Sequence, residues 1–377
     1  MRARSVLSFL LVSLAACGSS EETFVGELQA NVVYGTDDRR EVFAHPDAEL
    51  QRIARESIVA LIPSSRINRE PTGDYSLFAF SLKDERGLCD DELFGNQPVA
   101  ATCSGVLIAD DLVLTAGHCI SSQRACDAFR YVFNYHLDAP NQLAFIRDED
   151  VYSCRSVALE EDAPSNGLTP DFAVIQLDRP VEGDHAPVAI RSAGSLPQGA
   201  PVSMIGFGSG LPAKIDDGAS VAQARLEQED FFVVNLDAFE GHSGSATFDS
   251  EARLAGILLG GRVPDYVVEA GESCARANVF EDSQAGEIVH NVAPIVAALC
   301  DEGLLEESCE EPDGCEVSCS GVISPGTGGG AGGTGGSPVA APNESGCSAV
   351  AHARGRSAAW IVFLLLFACA RLRRRAA

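Results

Sequence analysis

The segments Thr115-Ala116-Gly117-His118-Cys119 and Gly241-His242-Ser243-Gly244-Ser245 put a histidine and a serine in settings suited to acyl transfer. A serine hydroxyl is a poor nucleophile at neutral pH. It needs an imidazole to take its proton and a carboxylate to hold that imidazole in the useful tautomer. Asp171 is the carboxylate candidate, because it opens the apolar run Phe172-Ala173-Val174-Ile175 and so stands at the edge of a buried strand, shielded from water. On this reading Ser243 attacks, His118 acts as base and then acid, and Asp171 orients it. Gly241 permits a turn that aims its own N–H and that of Ser243 at a developing oxyanion. Taken alone, Gly-x-Ser-Gly usually marks a loop; the order His118, Asp171, Ser243 in strand-patterned sequence is what gives it weight. His45, His136, His185, His290 and His352 lack such settings and read as ordinary polar residues.

These residues need a scaffold, and the pattern from Val32 to about residue 292 supplies one. Short apolar runs, among them Ser104 to Ile108, Leu112 to Leu114 and Phe172 to Ile175, alternate with Gly, Asp, Pro and Asn turn signals. That reads as all-β. Only residues 287–299 look helical, with Ile288, Val292, Ile295, Val296 and Leu299 near one face. At 377 residues the chain is long enough to bury a full core of two packed subdomains.

The run Cys103-Ser104-Gly105-Val106-Leu107-Ile108 followed by Val113-Leu114-Thr115-Ala116-Gly117-His118-Cys119 resembles the trypsin- and chymotrypsin-like serine proteases. Asp171-Phe172-Ala173-Val174, Gly241-His242-Ser243-Gly244 and Gly206-Phe207-Gly208 resemble further motifs of that family, and the likeness covers roughly residues 32–300. It implies two antiparallel six-stranded β-barrels, about 32–185 and 186–285, with a helix at about 287–299. It also implies a disulfide from Cys103 to Cys119, and closing a loop of about 15 residues stabilises by about 3 kcal/mol. His242 departs from the trypsin pattern, where an aspartate at that place receives the amine of a newly cut amino terminus. With Val32 to Arg40 and the Ser243-Gly244-Ser245 ending, the chain looks closer to the bacterial glutamyl endopeptidase branch. That branch carries a histidine where this chain has Leu258 in Gly256-Ile257-Leu258-Leu259-Gly260-Gly261, so glutamate preference is not supported. Asp237, six residues before Ser243, stands where trypsin-like enzymes hold the acid that binds Arg or Lys. Asp237, Leu258, Gly260 and Gly261 are therefore the substrate-pocket candidates.

The charge balance narrows the partners. With 27 basic and 54 acidic residues the formal charge is −27, which repels phosphate backbones and argues against nucleic acid. Arg2 and Arg4, the apolar run Val6 to Leu14 and the small residues Ala15 and Ala16 have signal-peptide composition, so export is expected. Leu14-Ala15-Ala16-Cys17 resembles the bacterial lipobox, which makes Cys17 a lipidation candidate. Residues 18–31 form a short polar leader. Thirteen cysteines in an exported chain favour disulfides, and the ten from Cys89 to Cys319 can all pair.

Residues 301–346 are an acidic, cysteine-containing segment and then a Gly-rich linker from Gly326 to Gly336. Residues 347–377 resemble the MYXO-CTERM sorting tails, with Gly346-Cys347-Ser348, an apolar run from Ala358 to Ala370 and an arginine cluster ending at Arg375. That run spans about 20 Å as a helix, short of the ~30 Å hydrocarbon core, so a sorting signal fits better than a permanent anchor, and the resemblance implies Cys347 as the processed residue.

The expectation is an exported serine endopeptidase at the outer membrane or cell surface, or released from it. Its partners would be protein or peptide substrates and the export, lipidation and sorting machinery; no metal motif competes and no cofactor is implied. The rival is a surface binding module that keeps the protease fold without useful turnover, its cleft blocked by loops around Cys126 and Cys154. An α/β-hydrolase esterase is disfavoured because it would place the serine first and need βαβ patterning.

Overall fold

The computed structural model describes residues 33–162, 170–191, 194–226, 231–260 and 264–305. Cys17, Gly261, Cys347, most of the 301–346 segment and both terminal signals lie outside the described residues. The described residues form a pair of antiparallel β units with few helices; the strand patterning led one to expect the all-β class, and the family resemblance implied the chymotrypsin-like pair.

In chain order the main strands are β1 (Arg40–Glu41), β2 (Ile58–Pro63), β3 (Cys103–Ala109), β4 (Leu112–Thr115), β5 (Phe129–Val132), β6 (Val151–Tyr152) and β7 (Cys154–Asp162). There follow β8 (Asp171–Leu177), β9 (Pro201–Gly206), β10 (Lys214–Leu226), β11 (Phe231–Val234), β12 (Ala246–Phe248), β13 (Leu254–Gly260) and β14 (Glu287–Asn291). The first sheet runs β6-β5-β2-β3-β4-β8-β7. Its two edge strands are separated by Ser153 alone, so the sheet must curl until those edges meet. The second runs β9-β12-β13-β14-β11-β10-β1, and β9 also pairs with β10, which closes six strands into a barrel. Closure is thus complete in the second unit and partial in the first.

Period-2 alternation decides what each strand buries. In β9, Val202 and Met204 point into the second barrel with Phe232, Val234, Leu258 and Val289, whereas Ile205 faces the cluster shared with the first sheet. That shared cluster joins Val106, Leu114, Val174 and Ile175 to Phe207, Ile215, Phe248 and Ile257. One apolar cluster therefore spans the two units, and the interior of the second barrel forms a separate one.

Two readings of the sequence need correction. Residues 287–299 are not one helix: Glu287–Asn291 form β14 between β13 and β11, and the helix spans Val292–Asp301. Ile288 and Val289 satisfy both periodicities, and the neighbouring strands decide in favour of the ladder; Asn291 then caps the helix by accepting from the Ala293 N–H. Nor is that helix alone. Ala48–Glu56 is helical too, with Asp47 accepting from Glu49 and Leu50 N–H groups and Leu50, Ile53 and Ala54 buried beneath it. The second barrel also reaches beyond residues 186–285, because β1 belongs to its sheet and Val33–Tyr34 pairs in parallel with Val279–Phe280.

Between β2 and β3 the chain inserts residues 64–102, and this insertion reaches the second unit. Leu82, Leu88 and Val99 pack with Leu211 and Ala275. Cys89 and Cys274 form a disulfide across 185 residues of sequence. Cys103–Cys119 is bridged as the family likeness implied, and Cys126–Cys154 ties the start of β7 to the short helix Gln123–Ala128. Replacing Cys89 and Cys274 together by serine is expected to lower the unfolding free energy by about 2–5 kcal/mol, the usual cost of losing a long native loop closure. Urea unfolding of the oxidised protein against the double variant measures it.

Candidate active site

His118 sits in a single 3-10 turn, Gly117–Cys119, that follows β4 directly. The Cys103–Cys119 disulfide fixes the far end of this turn to the start of β3. Asp171 is the first residue of β8, which is paired with β4, so strand register alone brings the two residues together. One Asp171 oxygen accepts the His118 backbone N–H at 2.8 Å, and the other lies 2.7 Å from His118 Nδ1. An ionised carboxylate can only accept, so Nδ1 carries the proton and Nε2 is the ring nitrogen able to accept one. The Asp171 side chain is 14% exposed and that of His118 44%, so the acid is sheltered while the imidazole opens to solvent.

Ser243 lies in the turn between β11 and β12, and the first unit holds that turn. The Ser104 N–H donates to the Ser243 carbonyl at 2.8 Å, and the Ser104 hydroxyl donates to the Gly241 carbonyl at 2.7 Å. Gly244 has φ +81°, and a Cβ there would lie 2.2 Å from the Ser104 carbonyl oxygen, 2.4 Å from Thr115 Oγ1 and 2.9 Å from the Ala116 nitrogen. The serine turn thus packs backbone against backbone on the residues that lead into the histidine turn. The Ser243 hydroxyl donates to the Leu259 carbonyl at 3.3 Å. For acyl transfer the hydroxyl would have to leave this carbonyl and donate to His118 Nε2 instead.

The two candidate oxyanion donors have their directions set by carbonyl anchors. In a planar trans peptide the C=O and N–H point opposite ways. The Glu240 carbonyl accepts from Ser209 N–H at 2.5 Å, which turns the Gly241 N–H the other way. The His242 carbonyl accepts from Ser245 N–H at 2.8 Å, which does the same for the Ser243 N–H. Gly241 has φ +100°, the conformation for which glycine was expected. Ser104 and Ser209 were not singled out from the sequence: a serine in a strand or loop carries no signal of a partner 137 residues away, as for Ser104, or even of one in another loop, as for Ser209.

The pocket candidates divide. Asp237 is buried, with one oxygen accepting Tyr34 N–H at 2.8 Å and the other accepting Asp38 N–H at 2.7 Å. It anchors the amino-terminal segment and does not present a free carboxylate, which corrects its reading as a receptor for Arg or Lys. Leu258 is fully buried in the second barrel's core, so it too is a packing residue. Gly260 ends β13 beside Leu259, whose carbonyl meets Ser243, and so stays next to the site. Cys126 and Cys154 bridge each other on the first unit.

Residues 103–257 match the family model of the trypsin-like peptidase domain. No curated protein matches the chain. A solved structure of a Glu endopeptidase in complex with MPD is similar over 72% of this chain and 99% of that one, with 17% sequence identity and a TM-score of 0.42.

Asp237 also meets a second buried acid, for its own N–H donates to Asp216 at 2.7 Å. Burial raises both carboxyls, Asp216 to about 6 and Asp237 to about 8, and the Asp216 charge adds to the rise at Asp237. Folded-state values above the unfolded one mean that the folded chain binds more protons, so this contribution to stability falls as pH rises. The wild type is expected to lose stability relative to Asp216→Asn between about pH 4 and pH 8, as read from urea midpoints across that range.

Proposed function

We propose that the chain is a serine endopeptidase working through Ser243, His118 and Asp171. His118 Nε2 takes the Ser243 proton as the hydroxyl oxygen attacks a peptide carbonyl, and the Gly241 and Ser243 N–H groups stabilise the oxyanion. His118 then gives the proton to the departing amine, leaving an acyl-enzyme that water hydrolyses by the same steps in reverse roles. The observation that supports this reading best is the seat of His118: Asp171 holds both its backbone and its ring, on the turn that the Ser243 loop packs against. The match of residues 103–257 to the trypsin-like peptidase domain supports the same chemistry.

The substrate reading is an endopeptidase without a basic-residue preference, since both Asp237 oxygens are engaged. We place the enzyme outside the cytoplasm, which the three disulfides among the described residues support. Attachment at a cell surface through Cys17, or sorting through Cys347, belongs to the same proposal. Loss of labelled palmitate in Cys17→Ser would support the first, and equal labelling would refute it.

Hydrolysis of a fluorogenic peptide library tests the enzyme reading. Ser243→Ala and His118→Ala are each expected to lower kcat by about 10⁴-fold or more, and Asp171→Asn by about 10⁴-fold, with KM little changed. Arg or Lys at the cleavage position should give no advantage. Wild-type protein without hydrolysis of any peptide would overturn the proposal.

A further inference from the structure

The segment from Asp237 to Ser243 is held from a direction that the mechanism above does not use. Residues 33–41 lie along the second barrel as a strap. The strap meets the segment at Asp237, through the two N–H donors already described, and again at Phe239. There the Arg39 guanidinium lies 3.9 Å over the Phe239 ring, with Phe94 at 5.2 Å. Arg39 is only 6% exposed, and its charge is met by Asp37 through Nε at 2.9 Å and Nη2 at 2.6 Å. A buried guanidinium so paired is costly to displace, and its planar faces suit aromatic rings.

Phe239 in turn brackets the residue before the nucleophile. Its N–H donates to His242 Nδ1 at 3.0 Å, and its carbonyl accepts the His242 N–H at 2.8 Å. The His242 ring is buried flat against Gly208, where a Cβ would lie 2.3 Å from ring Cε1. Gly208 adjoins Ser209, whose N–H anchors the Glu240 carbonyl. The contacts therefore run without a gap from Asp37 and Arg39 through Phe239 and His242 to both peptides that carry the oxyanion donors.

We propose that Arg39 is a positioning residue for the oxyanion turn, acting through Phe239 and His242. The proposal rests on the peptidase reading for its effect on rate, and on the packing alone for its effect on the turn. His242 takes the place that a carboxylate holds in trypsin-like sequences, and it works as an acceptor for a neighbouring amide inside its own turn. Burial, with Arg39 and then Lys214 adding to it, holds the imidazole well below its ordinary range, which keeps Nδ1 unprotonated and able to accept. An imidazolium would have no lone pair for the Phe239 N–H.

The test compares the full chain with Arg39→Met, Arg39→Lys and His242→Leu. Arg39→Met and His242→Leu are expected to lower kcat at least about tenfold, toward the 10²–10³-fold that loss of one oxyanion donor costs, with KM within about twofold. Arg39→Lys, which keeps the charge, should retain more activity than Arg39→Met. Should Arg39→Met fail to fold, Phe239→Leu removes the ring and spares the ion pair, and it carries the same expectation. Folded Arg39→Met or Phe239→Leu with wild-type kcat, or a loss confined to KM, would overturn the proposal. Amide resonances give a reading independent of turnover: those of Gly241 and Ser243 should move in Arg39→Met. Unmoved resonances would overturn the positioning role even in a chain that hydrolyses nothing, whereas moved resonances in an inactive wild type would uphold the role and remove only the peptidase reading.

Discussion

The site depends on one close approach, that of the Gly244 backbone to Ser104, Thr115 and Ala116. The nearest atoms there are backbone of Ser104 and Ala116 and the Thr115 hydroxyl, and a single methyl group would collide with the Ser104 carbonyl at 2.2 Å. Backbone packed on backbone has little freedom to slide, since interiors are close-packed and transmit small displacements. Ser243 precedes this contact directly and His118 follows it two residues beyond Ala116, so the serine and histidine turns are placed by one interface. Ser104 reinforces it from the same strand, bonding to the carbonyls of Ser243 and Gly241 at once.

Around that contact the serine turn is fixed by polar groups that burial makes expensive. Asp237, Asp216, Arg39 and His242 are all buried, and each has a partner at hydrogen-bond distance. Such networks specify one geometry more than they add stability, because an unpaired member costs several kcal/mol while a full set gains little over apolar packing. In the proposed mechanism this turn aims two N–H groups, and such a turn gains from that exclusiveness. The strap, first in the described chain, adds β1 to the edge of the second sheet, and the 64–102 insertion reaches across by the Cys89–Cys274 bridge. Both units are therefore tied by chain that lies outside their own strands.

The local features of the site were legible in the sequence, and the long-range ones were not. The candidates His118, Asp171 and Ser243 each carry a short motif, and the Cys103–Cys119 bridge is the one that the family resemblance implied. The all-β class followed from spacing alone. Asp237 shows the limit: its offset from Ser243 suggested a cation receptor, yet the amides of Tyr34 and Asp38, about two hundred residues upstream, occupy it. Arg39 and Phe239 are likewise far apart in sequence, and although Arg39 lies in the Val32 to Arg40 run, nothing in that run points to Phe239. The helix read at 287–299 failed at its first five residues because Ile288 and Val289 suit a strand equally well, and only the flanking β11 and β13 decide.

The central claim is that Ser243 is a nucleophile made reactive by His118, and a covalent adduct tests it most directly. Treating the purified protein with a fluorophosphonate and mapping the modified peptide by mass spectrometry reads the reacting atom without knowledge of the substrate. The account predicts stoichiometric modification of Ser243, and none in the same protein carrying His118→Ala. An unmodified Ser243, or modification that persists at equal rate without His118, would contradict it.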